Sequence, residues 1–147
     1  MTRALVDTTV LYAAANSRAS RHETALAIVR GADRGSLPSL IVSDPILIET
    51  MNGLTRDVGA DVAVDVLDRL HDGSQFEVRR EPITVWDTAL DVFERIDRLS
   101  LADAVLVTSA RHHGIEYCYS FDDDFDGFDS FTRLVTPDNP FSGGQSI

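Results

Sequence analysis

The sequence predicts a three-layer α/β/α sandwich on a mostly parallel central sheet. Three observations lead there. Short apolar runs alternate along the chain with longer segments whose apolar residues recur at helical spacing. Such alternation implies right-handed crossovers between parallel strands, with helices covering both faces of the sheet. The length, 147 residues, suits one domain and removes about two thirds of the unfolded surface on folding. Finally, acidic residues follow directly on two of the strand candidates, where sites in such sheets lie.

The elements follow in order. Residues 3 to 6, RALV, form the first strand, and Asp7-Thr8-Thr9 leads into the helical run VLYAAA. SRHE at 20 to 23 is a capping-box pattern with apolar Ala25, Ile28 and Val29 behind it; Gly31 and Gly35 are stop signals, and the helix ends near Arg34. LIV at 40 to 42 is the second strand. Ser43-Asp44-Pro45 then supplies an N-cap with proline in the first turn, starting a helix through about Leu54 with Glu49 one turn inside. Asp61 to Leu70 places Val62, Val66, Leu67 and Leu70 on one helical face before HDGS breaks it, and FEVR at 76 to 79 is the third strand. TVWD at 84 to 87 is another capping box, and Trp86, Leu90, Phe93 and Ile96 recur at helical spacing as a core-facing stripe. SLAD at 100 to 103 opens the last helix, which runs to about His113 and stops at Gly114. IEYCYS at 115 to 120 and FTRLV at 131 to 135 complete the strands. Residues 1–136 are thus the domain, and residues 137–147, with Asn139-Pro140 and SGGQS, form a loosely ordered tail.

Composition narrows the classes. No apolar run approaches the roughly 18 to 20 residues that a membrane span needs, and MTRALVD lacks a signal-peptide pattern, so a soluble cytoplasmic protein without a membrane partner is expected. Cys118 is alone, which excludes an internal disulfide and a cysteine-based zinc site; its apolar surroundings suggest a packed thiol. All 13 basic residues are Arg and 18 of the 24 acidic ones are Asp, giving a formal charge of −11. A Lys-free, Asp-rich chain has a halophilic-type composition, suited to cytoplasms where salt screens self-repulsion over about 3 Å at 1 M.

Against this acidic background, Asp7, Glu49, Asp103 and the Asp122/Asp124 pair stand out because each adjoins core-forming sequence. Charged groups are seldom buried unless paired or bound to metal, so the four stretches suggest a buried carboxylate pocket that holds a divalent cation. Each has a plainer explanation to set beside that. Asp7 can cap the helix after it, and Asp103 is the N3 acid of a capping box. Glu49 is neither in a first turn nor on an obvious polar face. Asp122-x-Asp124-x-Asp126-Gly127 copies the first half of an EF-hand loop, but Arg133 stands where a bidentate Glu belongs and a strand precedes it. His112 and His113, at a helix end, read as structural.

Together DTTVLYA at 7 to 13, IVSDPILIETMNGL at 41 to 54, LSLADAVLVTSARHHG at 99 to 114 and YSFDDDFDGF at 119 to 128 resemble the PIN domain, and among PIN domains the VapC-type toxins of toxin–antitoxin pairs. The resemblance spans nearly the whole chain and implies a metal-dependent endoribonuclease. It makes Asp7, Glu49, Asp103 and Asp122 the core acids, with Asp124 matching a further one. Ser120 stands where the family usually has Thr, and Thr9 where it commonly has Ser or Asn; Thr9 could orient a metal-bound water. Which of Asp122 and Asp124 is the fourth ligand stays open, while Asp123 is expected to point away from both.

Hard oxygen ligands with no Cys or paired His favour Mg²⁺ or Mn²⁺. In the implied hydrolysis one cation activates water, and a second cation or an ordered water steadies the leaving 3′ oxygen. Asp7, Asp103, Asp122 and Asp124 are metal ligands in this scheme, and Glu49 holds a second metal or acts as base. The resemblance also implies a cognate antitoxin, a homodimer, and structured tRNA or rRNA as target. Rival readings are a PIN nuclease of RNA processing that is no toxin, and a non-catalytic acidic interaction protein of a salt-adapted cell. The absence of Lys argues against phosphatase-like phosphoryl-transfer folds. Arg21, Arg56 and Arg79/Arg80 are candidate phosphate contacts.

Overall fold

The computed structural model describes residues 2–141. Five strands, β1 (Arg3–Val6), β2 (Ser39–Ser43), β3 (Phe76–Arg79), β4 (Tyr117–Tyr119) and β5 (Thr132–Leu134), form one parallel sheet in the order β3-β2-β1-β4-β5. Pairs of helices make the first three crossovers: α1 (Thr8–Ala15) with α2 (His22–Asp33), α3 (Asp44–Asp57) with α4 (Ala60–Asp72), and α5 (Ile83–Arg95) with α6 (Leu101–His113). The result is the expected three-layer α/β/α sandwich. The last crossover has no α-helix and runs from β4 to β5 through a 3₁₀ turn at Asp123–Phe125.

Strands buried on both faces read as near-continuous apolar runs, and the three central ones do so through their middles. Ala4, Leu5, Val6, Leu40, Ile41, Val42, Cys118 and Tyr119 are all buried. Burial pushes the Cys118 thiol well up, consistent with a packed, inert sulfur. Edge strands β3 and β5 carry Glu77, Arg79 and Arg133 instead. From β1 the chain winds outward through β2 to β3, then returns to the other side of β1 for β4 and β5. The order therefore reverses between β1 and β4, and a crevice opens there at the carboxyl ends of the strands.

Several element starts differ from expectation. Helix α2 begins at His22 with Arg21 in the cap position and no side-chain cap, so Ser20 closes no capping box. Helix α5 begins at Ile83 after Pro82, which puts Thr84 inside the first turn rather than ahead of it. That shift also turns the stripe: Val85, Ala89 and Val92 are buried, Trp86 and Ile96 are only partly so, and Leu90 and Phe93 are each 44% exposed. The smaller residues face α6, on which α5 packs, and the large ones are left outside. Ser43 does precede α3, yet its hydroxyl caps nothing and donates to Glu81. That helix also continues past Leu54 to Asp57.

Helix α6 matches its sequence signals. The Ser100 hydroxyl accepts the Asp103 N–H at 3.1 Å, and Gly114 ends the helix at φ 67°, a left-handed turn that suits glycine. Beyond β5, the Tyr119 hydroxyl donates to the Asp138 carbonyl at 2.7 Å and the Phe141 ring meets Tyr117 edge-on. The rest of the expected tail, 142–147, lies outside the described residues. No helix among those residues is long and apolar enough to cross a membrane.

Candidate functional site

Asp7 leaves the end of β1 into the crevice and is 2% exposed. It occupies the cap position of α1 without a capping bond to that helix. Its Oδ2 instead accepts the Thr9 hydroxyl and the Ser120 hydroxyl, both at 2.8 Å. Each hydroxyl also accepts a backbone N–H from the segment after β4: Phe121 on Thr9 and Asp122 on Ser120, both at 3.0 Å. Thr9 and Ser120 therefore lock Asp7 to the start of the acidic loop. The Thr9 hydrogen is committed to Asp7, so it aims that carboxylate.

Glu49 reaches the site from α3, where its Oε1 accepts the Thr8 hydroxyl at 3.3 Å. It sits on the exposed face of that helix, not in the core as its neighbours Ile46 and Leu47 suggest. Asp103 projects from the first turn of α6 and is half-buried, as is Asp122. The expected buried pocket is thus graded, with one carboxylate enclosed and the others opening toward solvent.

Electrostatics ties the four together. Burial, then the charge of Asp7, and further those of Asp122 and Glu49 push the Asp103 carboxyl up to about 7; the Ser100 hydroxyl offsets part of this. Burial likewise raises Asp7, against the hydroxyls of Ser120 and Thr9, with Asp122 adding to the rise. Loss of hydration raises Glu49, and Asp7 adds to it. Among the described residues none of these four acids is in an ion pair. Uncompensated carboxylates converging on one crevice, all hard oxygen donors, suit a divalent cation of the Mg²⁺ or Mn²⁺ type.

The acidic loop supplies the closest ligand set. One carboxylate oxygen from each of Asp122, Asp123 and Asp124 lies within 4.8 Å of the others, the only group of three His, Cys, Asp or Glu ligand atoms so close among the described residues. Asp123 therefore does not point away from its neighbours. Asp122 caps that turn, its Oδ1 accepting the Asp124 N–H at 2.9 Å. Only Asp122 of the three also bears on Asp7 and Asp103. The loop is held from outside: Arg98 donates to the carbonyls of Asp124 and Asp126 and lies over the Phe128 ring, while Arg133 grips Asp126 with two bonds of 2.9 Å and donates to the Ser120 carbonyl.

Two features escaped the sequence reading. Glu81, just after β3, is buried, with its carboxylate taking hydroxyls from Ser43 at 2.8 Å and Ser109 at 2.6 Å and pairing with His113 Nε2 at 3.0 Å. A lone Glu in REPI carries no local signal of this network, whose partners come from two distant segments, the end of β2 and helix α6. The second is a cavity of about 540 Å³ between α1 and α3, lined by Thr8, Tyr12, Glu49, Asn52, Arg56 and Asp57 among others. It places Arg56 in the same cavity as Glu49. Arg21 lies 4.8 Å over the Phe121 ring, also next to the site, whereas Arg79 pairs with Glu77 on edge strand β3.

No curated protein sequence matches the chain. Solved structures do. VapC20 of Mycobacterium tuberculosis, a toxin that cleaves the sarcin-ricin loop, is 29% identical with a TM-score of 0.72, over 84% of this chain and 95% of that one. VapBC2 of Rickettsia felis, bound to a DNA fragment from its promoter, shares the fold at 12% identity and a TM-score of 0.65, over 90% and 97% of the two chains. A toxin–antitoxin complex from Klebsiella pneumoniae does so at 21% and 0.61, over 92% and 98%. Residues 4–130 match the PIN domain, and the chain belongs to that family.

Proposed function

We propose that the protein is a metal-dependent endoribonuclease and the toxin of a toxin–antitoxin pair. The observation that carries this is the convergence of Asp7, Asp103, Asp122 and Glu49, unpaired and mutually repelling, at the crevice where the strand order reverses. Likeness to VapC20 at 29% identity supports an RNA substrate, a structured RNA loop in particular.

Asp7, Asp103 and Asp122 would hold the cation, with Asp124 at the rim. Bound Mg²⁺ or Mn²⁺ supplies Lewis-acid chemistry, easing the ionisation of water and offsetting charge on the leaving 3′ oxygen. The protein's own groups set the stage. Thr9 and Ser120 fix the Asp7 carboxylate, Asp103 keeps or gives up a proton near neutral pH, and Glu49, exposed and close to Thr8, is placed to accept a proton from attacking water.

An antitoxin has a seat in the groove of about 630 Å³ between α1, α2 and α4, floored by Leu11, Val29 and Phe76 and rimmed by Asp33, Asp68 and Asp72. Such a groove suits an amphipathic helix with basic flanks. A homodimer would cover Ile83, Leu90 and Phe93, which α5 leaves exposed. The deciding experiment maps RNA cleavage ends with and without Mg²⁺ for wild type and Asp103→Asn. Cleavage with 5′-phosphate and 3′-hydroxyl ends, lost without metal and in the variant, is expected; metal-independent cleavage contradicts the reading.

A further inference from the structure

The cavity between α1 and α3 has Glu49 in its wall and chemistry of its own. Glu49, Asn52, Gly53 and Arg56 follow at i, i+3, i+4 and i+7, so they form one stripe along α3. Thr8 and Tyr12, one turn apart on α1, face it across the same cavity. Gly53 is what lets the two helices close up, since a Cβ there would stand 3.3 Å from the Tyr12 ring. Seven residues of helix put Arg56 about 10 Å beyond Glu49 along the axis.

Arg56 is held in place rather than left to wander. Its Nε and Nη2 donate to the two oxygens of Asp57 at 3.0 and 3.2 Å, and the Tyr12 hydroxyl donates to the same carboxylate at 2.6 Å while accepting from Asn16. Among the described residues Nη1 has no hydrogen bond, and neither has the Asn52 amide. The cavity thus offers one guanidinium, held by Asp57 and with an N–H group to spare, and one amide able to donate and accept. In a chain of charge −11, a cation in the same cavity as Glu49 is a rare asset for an anionic ligand.

We propose that this cavity is a nucleotide subsite: Arg56 binds an RNA phosphate adjoining the scissile one, and Asn52 takes the 2′-hydroxyl of the nucleotide between them. The proposal rests on the endoribonuclease reading and extends it from the reacting phosphate to the strand beside it. Tyr12 and Asp57 are positioning residues, because they act through Arg56.

The test uses the full chain carrying Asp103→Asn, without added metal, so that bound RNA is not cleaved. A fluorescein-labelled single-stranded oligoribonucleotide and its all-2′-deoxy counterpart are titrated over a range of KCl. Adding Arg56→Gln should weaken RNA binding about fivefold and reduce the slope of log affinity against log salt by about 0.7, the share of one phosphate on a single strand. Arg56→Lys should keep the slope. Asn52→Ala should abolish the preference for RNA over the deoxy probe without altering the slope. The Arg56 side chain is 71% exposed, so thermal stability should hold, and Mn²⁺ titration of the Arg56→Gln single variant should match wild type. Equal affinity and slope with and without Arg56, while wild type cleaves RNA, overturns the subsite and leaves the nuclease standing. Absence of both RNA binding and cleavage overturns both.

Discussion

Asp103 shows how much one residue can report. Its carboxyl is raised from 3.8 to about 7, burial acting first and the neighbouring carboxylates next. The folded protein therefore holds this proton more tightly than the unfolded chain does. Its contribution to stability is fully present below pH 3.8 and is lost as pH rises through about 7. In EDTA, Asp103→Asn should gain thermal stability relative to wild type progressively between pH 4 and 8; a difference that stays flat with pH would falsify the assignment. Glu81 is the contrasting acid, fully satisfied by Ser43, Ser109 and His113. Removing it strands two hydroxyls and an imidazole, so Glu81→Ala should cost about 3 kcal/mol in urea unfolding. A loss under about 1 kcal/mol would mean that water replaces the carboxylate.

At the scale of elements, what was legible followed from local rules. Strands β1 and β2 declare themselves by continuous apolar runs, and α6 by Ser100 and Gly114 at its two ends. The buried face of helix α5 lies one residue away from the stripe that spacing predicts, because periodicity reports spacing and says nothing of which residues a close neighbour admits; α6 admits Val85 and Ala89, not Leu90 and Phe93. The arginine clamp on the acidic loop was likewise illegible, since Arg98 lies 26 residues from the Asp124 carbonyl it binds. That clamp should matter. Five Asp residues between 122 and 129 repel one another, and Arg98 and Arg133 fix the backbone that aims them. Arg98→Ala should weaken Mn²⁺ binding about tenfold by isothermal titration, as loss of an orienting outer partner does. Arg98→Lys should not restore it, because one ammonium cannot span two carbonyls as a guanidinium fork does. Unchanged Mn²⁺ affinity in Arg98→Ala would show the loop to be held by its own turn.

Over the whole molecule, the order of strands explains why acids scattered across 118 positions, from Asp7 to Asp124, meet at one crevice. Asp7 and Asp122 were legible as strand-end residues, while Glu49 was singled out for a burial that it lacks. The same charge that builds the site also loads the surface, and the two contributions respond differently to ions. Diffuse repulsion among 24 acids is screened by any salt, so the thermal midpoint should climb with KCl whether or not a specific site exists. A specific site responds to millimolar Mn²⁺ at fixed ionic strength, since a ligand at 100 times its Kd stabilises by about 2.7 kcal/mol. Wild type should therefore show both responses, and Asp103→Asn should keep the KCl response while losing most of the Mn²⁺ one. High KCl should also shrink the Mn²⁺ increment only partly, because Asp7 is 2% exposed and the crevice around it is poorly reached by mobile ions. If Mn²⁺ at fixed ionic strength leaves the midpoint unmoved, the carboxylates hold no cation, and the protein is an acidic binding module on a nuclease fold.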